Sequence, residues 1–267
     1  MKKIEFEELK RLQLEILKEV DKYCQSNGLK YSLAYGTLIG AIRHKGYIPW
    51  DDDIDIIMPR ADYELFVRNF NGSNKQFCVI SPYTNNKYYA PYANVINVDT
   101  LLYESVNHGV EIGVKIDIFP IDNVPDTLQG QRELFKRVNK LTRLINIISS
   151  EGKGETNGFK SRLFFIFKSF FMKKISYSRE LNDLAKRSNE ENVNSNYVNN
   201  IVWCAAKEKG CFKKTDMDEY LDVEFEGCLF KSIKGYDDFL TAHYGNYMVL
   251  PPKEKQVPHH TFDAYWR

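Results

Sequence analysis

No CxxC pair and no even set of half-cystines occurs in this sequence: Cys24, Cys78, Cys204, Cys211 and Cys228 are five and widely spaced. A zinc ribbon and a disulfide framework are therefore excluded as organising principles, and a reducing cytoplasm is the expected compartment. No stretch reaches the roughly 18 consecutive apolar residues that a membrane-spanning helix needs. The opening MKKIEFEELKRLQLEILKEV interleaves charges with apolar residues at helical spacing, unlike a secretory leader. A charge of one sign is missing too. Lys and Arg number 37 against 36 Asp and Glu, so no global field gathers nucleic acid, and no nucleic-acid partner is expected.

What is present is a foldable composition, with 43% hydrophobic and 27% charged residues over 267 positions. The length fits one large domain or a catalytic domain with a helical companion. Leu9, Leu12, Ile16, Leu17, Val20 and Tyr23 recur at spacings of three and four, which predicts an amphipathic helix from Glu5 to about Cys24, stopped near Gly28. A short strand is expected at Lys30–Ala34, a tight turn at Tyr35-Gly36-Thr37, a helix at Leu38–Arg43 and a strand through Asp51–Met58. A helix at Ala61–Asn69 follows, then strands at Phe77–Ile80, Ala93–Asn97 and Val114–Phe119. Beyond Pro125 the pattern turns helical, over Thr127–Ser149, Ser178–Ser188 and Tyr236–Tyr244, with a hairpin across Phe212–Phe230. Residues 151–158 read as a loop. The expectation is an α+β chain, with a catalytic core at 1–125 and a mainly helical region at 126–267 that contributes to the donor and acceptor sites.

Acidic and apolar residues alternate in Asp53-Ile54-Asp55-Ile56. In an extended strand Asp53 and Asp55 would then share one face, with the isoleucines on the other. Two neighbouring carboxylates repel when ionised unless a dense cation lies between them, and Mg²⁺ takes oxygen ligands of this kind. Taken alone, the run fits a solvated acidic strand end equally well. Upstream, Gly36-Thr37 opens a helix whose free N–H groups suit a phosphate, and this pairing favours the functional reading. A third acid, Asp117, stands between apolar neighbours on a strand, where a charge requires a partner. Beside a metal it can also accept a proton from an incoming hydroxyl.

The run Tyr35-Gly36-Thr37-Leu38-Ile39-Gly40-Ala41-Ile42-Arg43-His44-Lys45-Gly46-Tyr47-Ile48-Pro49-Trp50-Asp51-Asp52-Asp53-Ile54-Asp55 closely resembles the signature of the LicD family. Lys115-Ile116-Asp117-Ile118-Phe119-Pro120 and, near the end, Tyr244-Gly245-Asn246-Tyr247-Met248 with Pro251-Pro252 resemble it in the same order. The resemblance implies a nucleotidyltransferase-type mixed sheet flanked by helices. It also implies transfer of a phospho-alcohol, phosphocholine from CDP-choline first, to a glycan hydroxyl of teichoic acid, capsule or lipopolysaccharide. Other CDP-alcohols (glycerol, ribitol), nucleotidyl transfer and an inactive glycan- or membrane-binding homologue are the alternatives. Asp53, Asp55 and Asp117 match the family's metal-binding and catalytic acids, with Mg²⁺, or Mn²⁺ in its place, as cofactor. Gly36 and Thr37 match its phosphate turn. Asn246 and Gln256 depart from the pattern, standing where members often carry an acidic and a basic residue.

Arg43, His44, Lys45 and Trp50 are further candidates for the donor site. The three basic residues fit a phosphate contact or the complement of a helix dipole. Trp50, Tyr88, Tyr89 and Tyr92 fit either core packing or a box around a quaternary ammonium. None of His44, His108, His243, His259 and His260 has metal-pair spacing apart from the adjacent last two. Segment 160–174, KSRLFFIFKSFFMKK, is basic and aromatic, and fits peripheral docking at the inner face of a membrane beside a lipid-linked acceptor, or a buried helix.

Overall fold

In the computed structural model, residues 1–70, 75–104, 109–149, 177–203, 205–257 and 262–267 are described. The loop 151–158, the segment 160–174, and His108, Cys204, His259 and His260 lie outside them.

The chain opens with β1 (Lys3–Ile4) and α1 (Phe6–Asn27). The periodicity of α1 is that of the sequence: Leu9, Leu12, Ile16, Leu17, Val20 and Cys24 are buried along one face. Gly28 ends the helix at φ 64°, and the Leu29 N–H then closes back on the Cys24 carbonyl at 2.9 Å. Next come β2 (Ser32–Leu33), α2 (Tyr35–His44), β3 (Asp55–Pro59), α3 (Arg60–Asn69), β4 (Phe77–Ile80), β5 (Ala93–Asn97), β6 (Thr100–Glu104) and β7 (Lys115–Val124). The second half holds α4 (Leu128–Ser149), α5 (Tyr177–Glu191), β8 (Tyr197–Asn199), β9 (Phe212–Lys213), β10 (Tyr220–Phe225), β11 (Cys228–Ile233), α6 (Tyr236–Tyr244) and β12 (Phe262–Trp266).

The main sheet runs β2-β3-β7-β5-β4, with β3 and β7 parallel and the other pairs antiparallel. Helices pack against this mixed sheet, which gives the expected α+β class. β7 outruns β3, and its far end pairs with β8, which pairs with β9, so segments from beyond residue 125 complete the sheet. One apolar cluster extends from Ile4 to Ala264.

Two expectations are corrected here. The strand foreseen at Asp51–Met58 begins only at Asp55; residues 51–54 form no strand. They are held by the loop's own Asp51 N–H to Ile48 carbonyl bond (2.8 Å) and by Gln13 of α1, whose Nε2 donates to the Asp52 carbonyl (2.9 Å). Within β3 the in–out alternation also stops: Ile56, Ile57 and Met58 are all buried, because an inner strand of such a sheet is covered on both faces. The hairpin foreseen at Phe212–Phe230 is really β10–β11, closed by Glu226-Gly227 at φ 51° and 70°, the pair of positive values that a two-residue type I′ turn requires.

Candidate active site

β2 turns into α2 at Tyr35, which adopts φ 47°. Gly36 and Thr37 are thus in the first turn of the helix, not in a turn before it as the sequence suggested. Gly36 is required by proximity: a methyl group there would stand 2.6 Å from Oδ2 of Asp51. Thr37 is buried, and its hydroxyl oxygen accepts the Asp55 N–H at 2.9 Å, tying α2 to the start of β3.

This tie brings the acids together. Carboxylate oxygens of Asp51, Asp52 and Asp53 all lie within 4.8 Å of one another. Asp55 stands directly opposite Asp117 in the parallel β3–β7 register. Burial, then Asp53, Asp117 and Asp51, push the Asp55 carboxyl well above the usual carboxylate range, with Lys115 opposing. Asp117 is buried and held from two sides at the same oxygen: Lys115 Nζ at 2.7 Å and Asn94 Nδ2 at 2.5 Å both donate to Oδ1. Asn94 faces Asp117 across β5–β7, and its own carbonyl oxygen accepts the Tyr88 hydroxyl. Asp52, Asp53, Lys115 and Glu104 share the wall of one narrow cavity.

A set of hard carboxylate oxygens with one nearby ammonium and strong mutual repulsion is the donor chemistry that suits Mg²⁺. The carboxylates within ligand reach of one another are those of Asp51, Asp52 and Asp53, and the Asp55–Asp117 pair adjoins them.

A family model described as "LicD/FKTN/FKRP, nucleotidyltransferase domain" matches residues 28–141, the span that contains Gly36, the acidic loop, Asn94 and Asp117. The lipopolysaccharide cholinephosphotransferase LicD of Haemophilus influenzae is 30% identical over 279 aligned positions, covering 99% of this chain and 99% of that protein. The chain belongs to the LicD family. Shorter matches link this LicD chain to uncharacterised proteins of Rickettsia typhi (42% over 63 residues, 23% of this chain and 20% of that one) and Rickettsia prowazekii (42% over 48 residues, 18% of each).

The other sequence candidates of this LicD protein separate along α2. Gly36 and Thr37 are at the end of the helix next to the acids, while Arg43, His44 and Lys45 lie at its far end, about 12 Å along the axis. Arg43 is already engaged, donating from Nε to His44 Nε2 (2.9 Å) and from Nη1 to the Tyr247 carbonyl (2.6 Å). Burial and the adjacent guanidinium hold the His44 imidazole below its ordinary pKa. Lys45, at φ 63°, caps the helix, and its carbonyl accepts the Glu226 N–H. Trp50 is half-buried against the core.

Of the aromatic box, Tyr88 and Tyr92 are buried, the first as the anchor of Asn94. An exposed ring beside them, absent from the sequence candidates, is Trp203, 46% accessible and edge-on to Tyr92 at 5.4 Å, which in turn contacts Phe119 at 4.5 Å. Asn200 fixes it, accepting the Trp203 N–H and donating to the Tyr35 hydroxyl, both at 2.9 Å. Tyr244 was seen only as part of a motif. Its phenol is held above its ordinary pKa by its crowded surroundings and then by Asp55, Asp51 and Asp53, so it stands at the edge of the acidic site. Lys115 is two residues before Asp117, a spacing that on a strand returns to the same face and that the sequence did offer.

Proposed function

We propose that this LicD protein transfers phosphocholine from CDP-choline to a hydroxyl of a cell-surface glycan such as lipopolysaccharide, teichoic acid or capsule. The observation that carries the reading is the pairing of Asp55 with Asp117, which joins two acidic segments next to the glycine-led end of α2. The Haemophilus relative, a lipopolysaccharide cholinephosphotransferase that aligns end to end with this chain, supports phosphocholine transfer to a glycan.

When bound, Mg²⁺ (or Mn²⁺) neutralises charge on the donor diphosphate and on the departing CMP. Asp53, Asp55 and Asp117 would supply its oxygen ligands. The free N–H groups in the first turn of α2 are the donors offered to the diphosphate. Asp117 receives the proton of the acceptor hydroxyl as that oxygen attacks the phosphorus bearing choline. The phosphorus–oxygen bond to CMP breaks, and CMP leaves with the electron pair. Lys115 and Asn94 keep Asp117 aimed, both on Oδ1, leaving Oδ2 for the proton. The choline ammonium rests against the face of Trp203.

No helix among the described residues is long and apolar enough to cross a membrane. Within this reading the enzyme works in the cytoplasm, with 160–174 as its peripheral contact to the inner face of the membrane, where a lipid-linked acceptor is presented.

The test follows CMP release from CDP-choline, CDP-glycerol and CDP-ribitol, with and without Mg²⁺, alongside the mass of the acceptor. Mg²⁺-dependent release with gain of phosphocholine is expected. An acceptor carrying a nucleoside monophosphate would overturn the reading. Trp203→Ala is expected to raise KM for CDP-choline roughly 2- to 30-fold, the range of one cation–π contact, while leaving KM for CDP-glycerol unchanged. An equal rise for both donors would remove the headgroup role.

A further inference from the structure

A second charged feature lies away from the acids. α4 buries Leu134, Phe135, Val138, Leu141 and Ile145, and exposes Arg132, Lys136, Arg137, Lys140 and Arg143 to solvent. With Lys207 of the 207–210 turn these five wall a groove of about 790 Å³. The size falls within the roughly 300–1,000 Å³ range of ligand-binding clefts. Glu208 is its one acidic lining residue, 4.0 Å from Arg132. Lys136, Arg137, Lys140 and Arg143 have no ion-pair partner among the described residues. The chain as a whole is only +1, so this is a local concentration of charge, and like charges at i and i+4 oppose the helix they stand on. An anionic ligand reverses that penalty.

We infer that this groove binds a linear, phosphate-bearing glycan: the anionic stretch of the acceptor that extends away from the reacting hydroxyl. The inference rests on the glycan acceptor proposed above. Arg132, Lys136, Lys140 and Arg143 lie on one side of α4 at steps of about 6 Å over a span of about 16 Å, a row that matches repeated charges on an extended chain. The cations line the open groove between α4 and the 207–210 turn, and the vesicle arm of the experiment below tells a bilayer from a glycan. Single-stranded nucleic acid is bound through exposed aromatic platforms, whereas the ring that lines this groove, Phe135, is buried. The wall is also connected to the site: the Lys207 carbonyl accepts Asn199 Nδ2 at 2.8 Å, and Asn199 pairs with Asp122, five residues along β7 from Asp117. That stretch of strand is about 17 Å long.

The experiment measures binding by fluorescence anisotropy of a labelled, phosphorylated core oligosaccharide of lipopolysaccharide, of the same oligosaccharide after dephosphorylation, and of vesicles of equimolar phosphatidylcholine and phosphatidylglycerol. Wild type is compared with Lys136→Glu/Lys140→Glu, both at exposed positions. The phosphorylated oligosaccharide is expected to bind the double variant about tenfold more weakly or worse, with a shallower salt dependence, and the dephosphorylated one to bind wild type weakly. CMP release with a short acceptor lacking phosphates should be unchanged in the variant. Equal binding by wild type and variant, equal binding of the dephosphorylated oligosaccharide, or tighter binding to the vesicles would each overturn the inference. If wild type binds as expected yet releases no CMP from any CDP-alcohol, the transfer reading fails and the polyanion site stands.

Discussion

Asp55→Asn is expected to lower transfer by about 10²- to 10³-fold or more while raising, not lowering, the melting temperature in metal-free buffer. The two effects share one cause. Burial and the acids around it hold the Asp55 carboxyl above its ordinary pKa of 3.8. A carboxyl raised in the folded state contributes stability that is present below the unfolded value and lost as pH rises through the folded one. Above the unfolded value the acid at this position is therefore a liability, and asparagine keeps the position neutral at similar size, so the variant should melt higher than wild type. Added Mg²⁺ should stabilise wild type and do so less in the variant, since one ligand is gone. Turnover at the wild-type rate would remove Asp55 from the metal site, and a fall in metal-free melting temperature would contradict the electrostatic account.

The largest loss of stability is expected from Arg60→Met. Arg60 Nε and Nη2 grip both oxygens of Asp122 at 2.7 and 2.6 Å, and Nη1 reaches Asn182 Oδ1 at 3.3 Å. Arg60 and Asp122 are 6% and 0% accessible, so the fork joins α3, β7 and α5 out of reach of water. Removing the guanidinium strands a buried carboxylate, at a cost of about 3–5 kcal/mol. Replacing both partners, as in Arg60→Met/Asp122→Leu, removes the stranded charge and should recover most of the loss. Urea denaturation of wild type, the single and the double variant measures this cycle. A single variant within about 1 kcal/mol of wild type would show that solvent reaches Asp122.

How much of this was legible in the sequence depended on how far apart the determining contacts lie. α1 and its Gly28 stop were readable because helical periodicity and a left-handed glycine act within a few residues. The strands at 77–80 and 93–97 were readable for the same local reason. The acidic run misled: alternation in Asp53-Ile54-Asp55-Ile56 imitates a half-exposed strand, yet the bond that keeps residues 51–54 in a loop comes from Gln13, on another element. Thr37 had the look of a phosphate donor and turned out to brace β3, a tie that exists only once α2 lies beside that strand. β6 and β12 went unseen because the partner of each is far along the chain. Of the proposed site, Asp53, Asp55 and Asp117 are the residues that motif and chemistry single out in the sequence. Asn94 was beyond reach, because only the β5–β7 register places it opposite Asp117.

The β1–β12–β6 sheet carries one more implication. Lys3 pairs with Tyr265, and Trp266 reaches Glu8 of α1 with its indole N–H, so segments from the two extremes of the described chain zip together on a strand from its middle. Closing a loop of nearly full chain length is entropically the slowest kind of pairing. This small sheet is therefore expected to close last in folding, leaving the edge of β6 open to a strand from a neighbouring molecule until it does, so that more aggregate is expected on refolding at high concentration than at low.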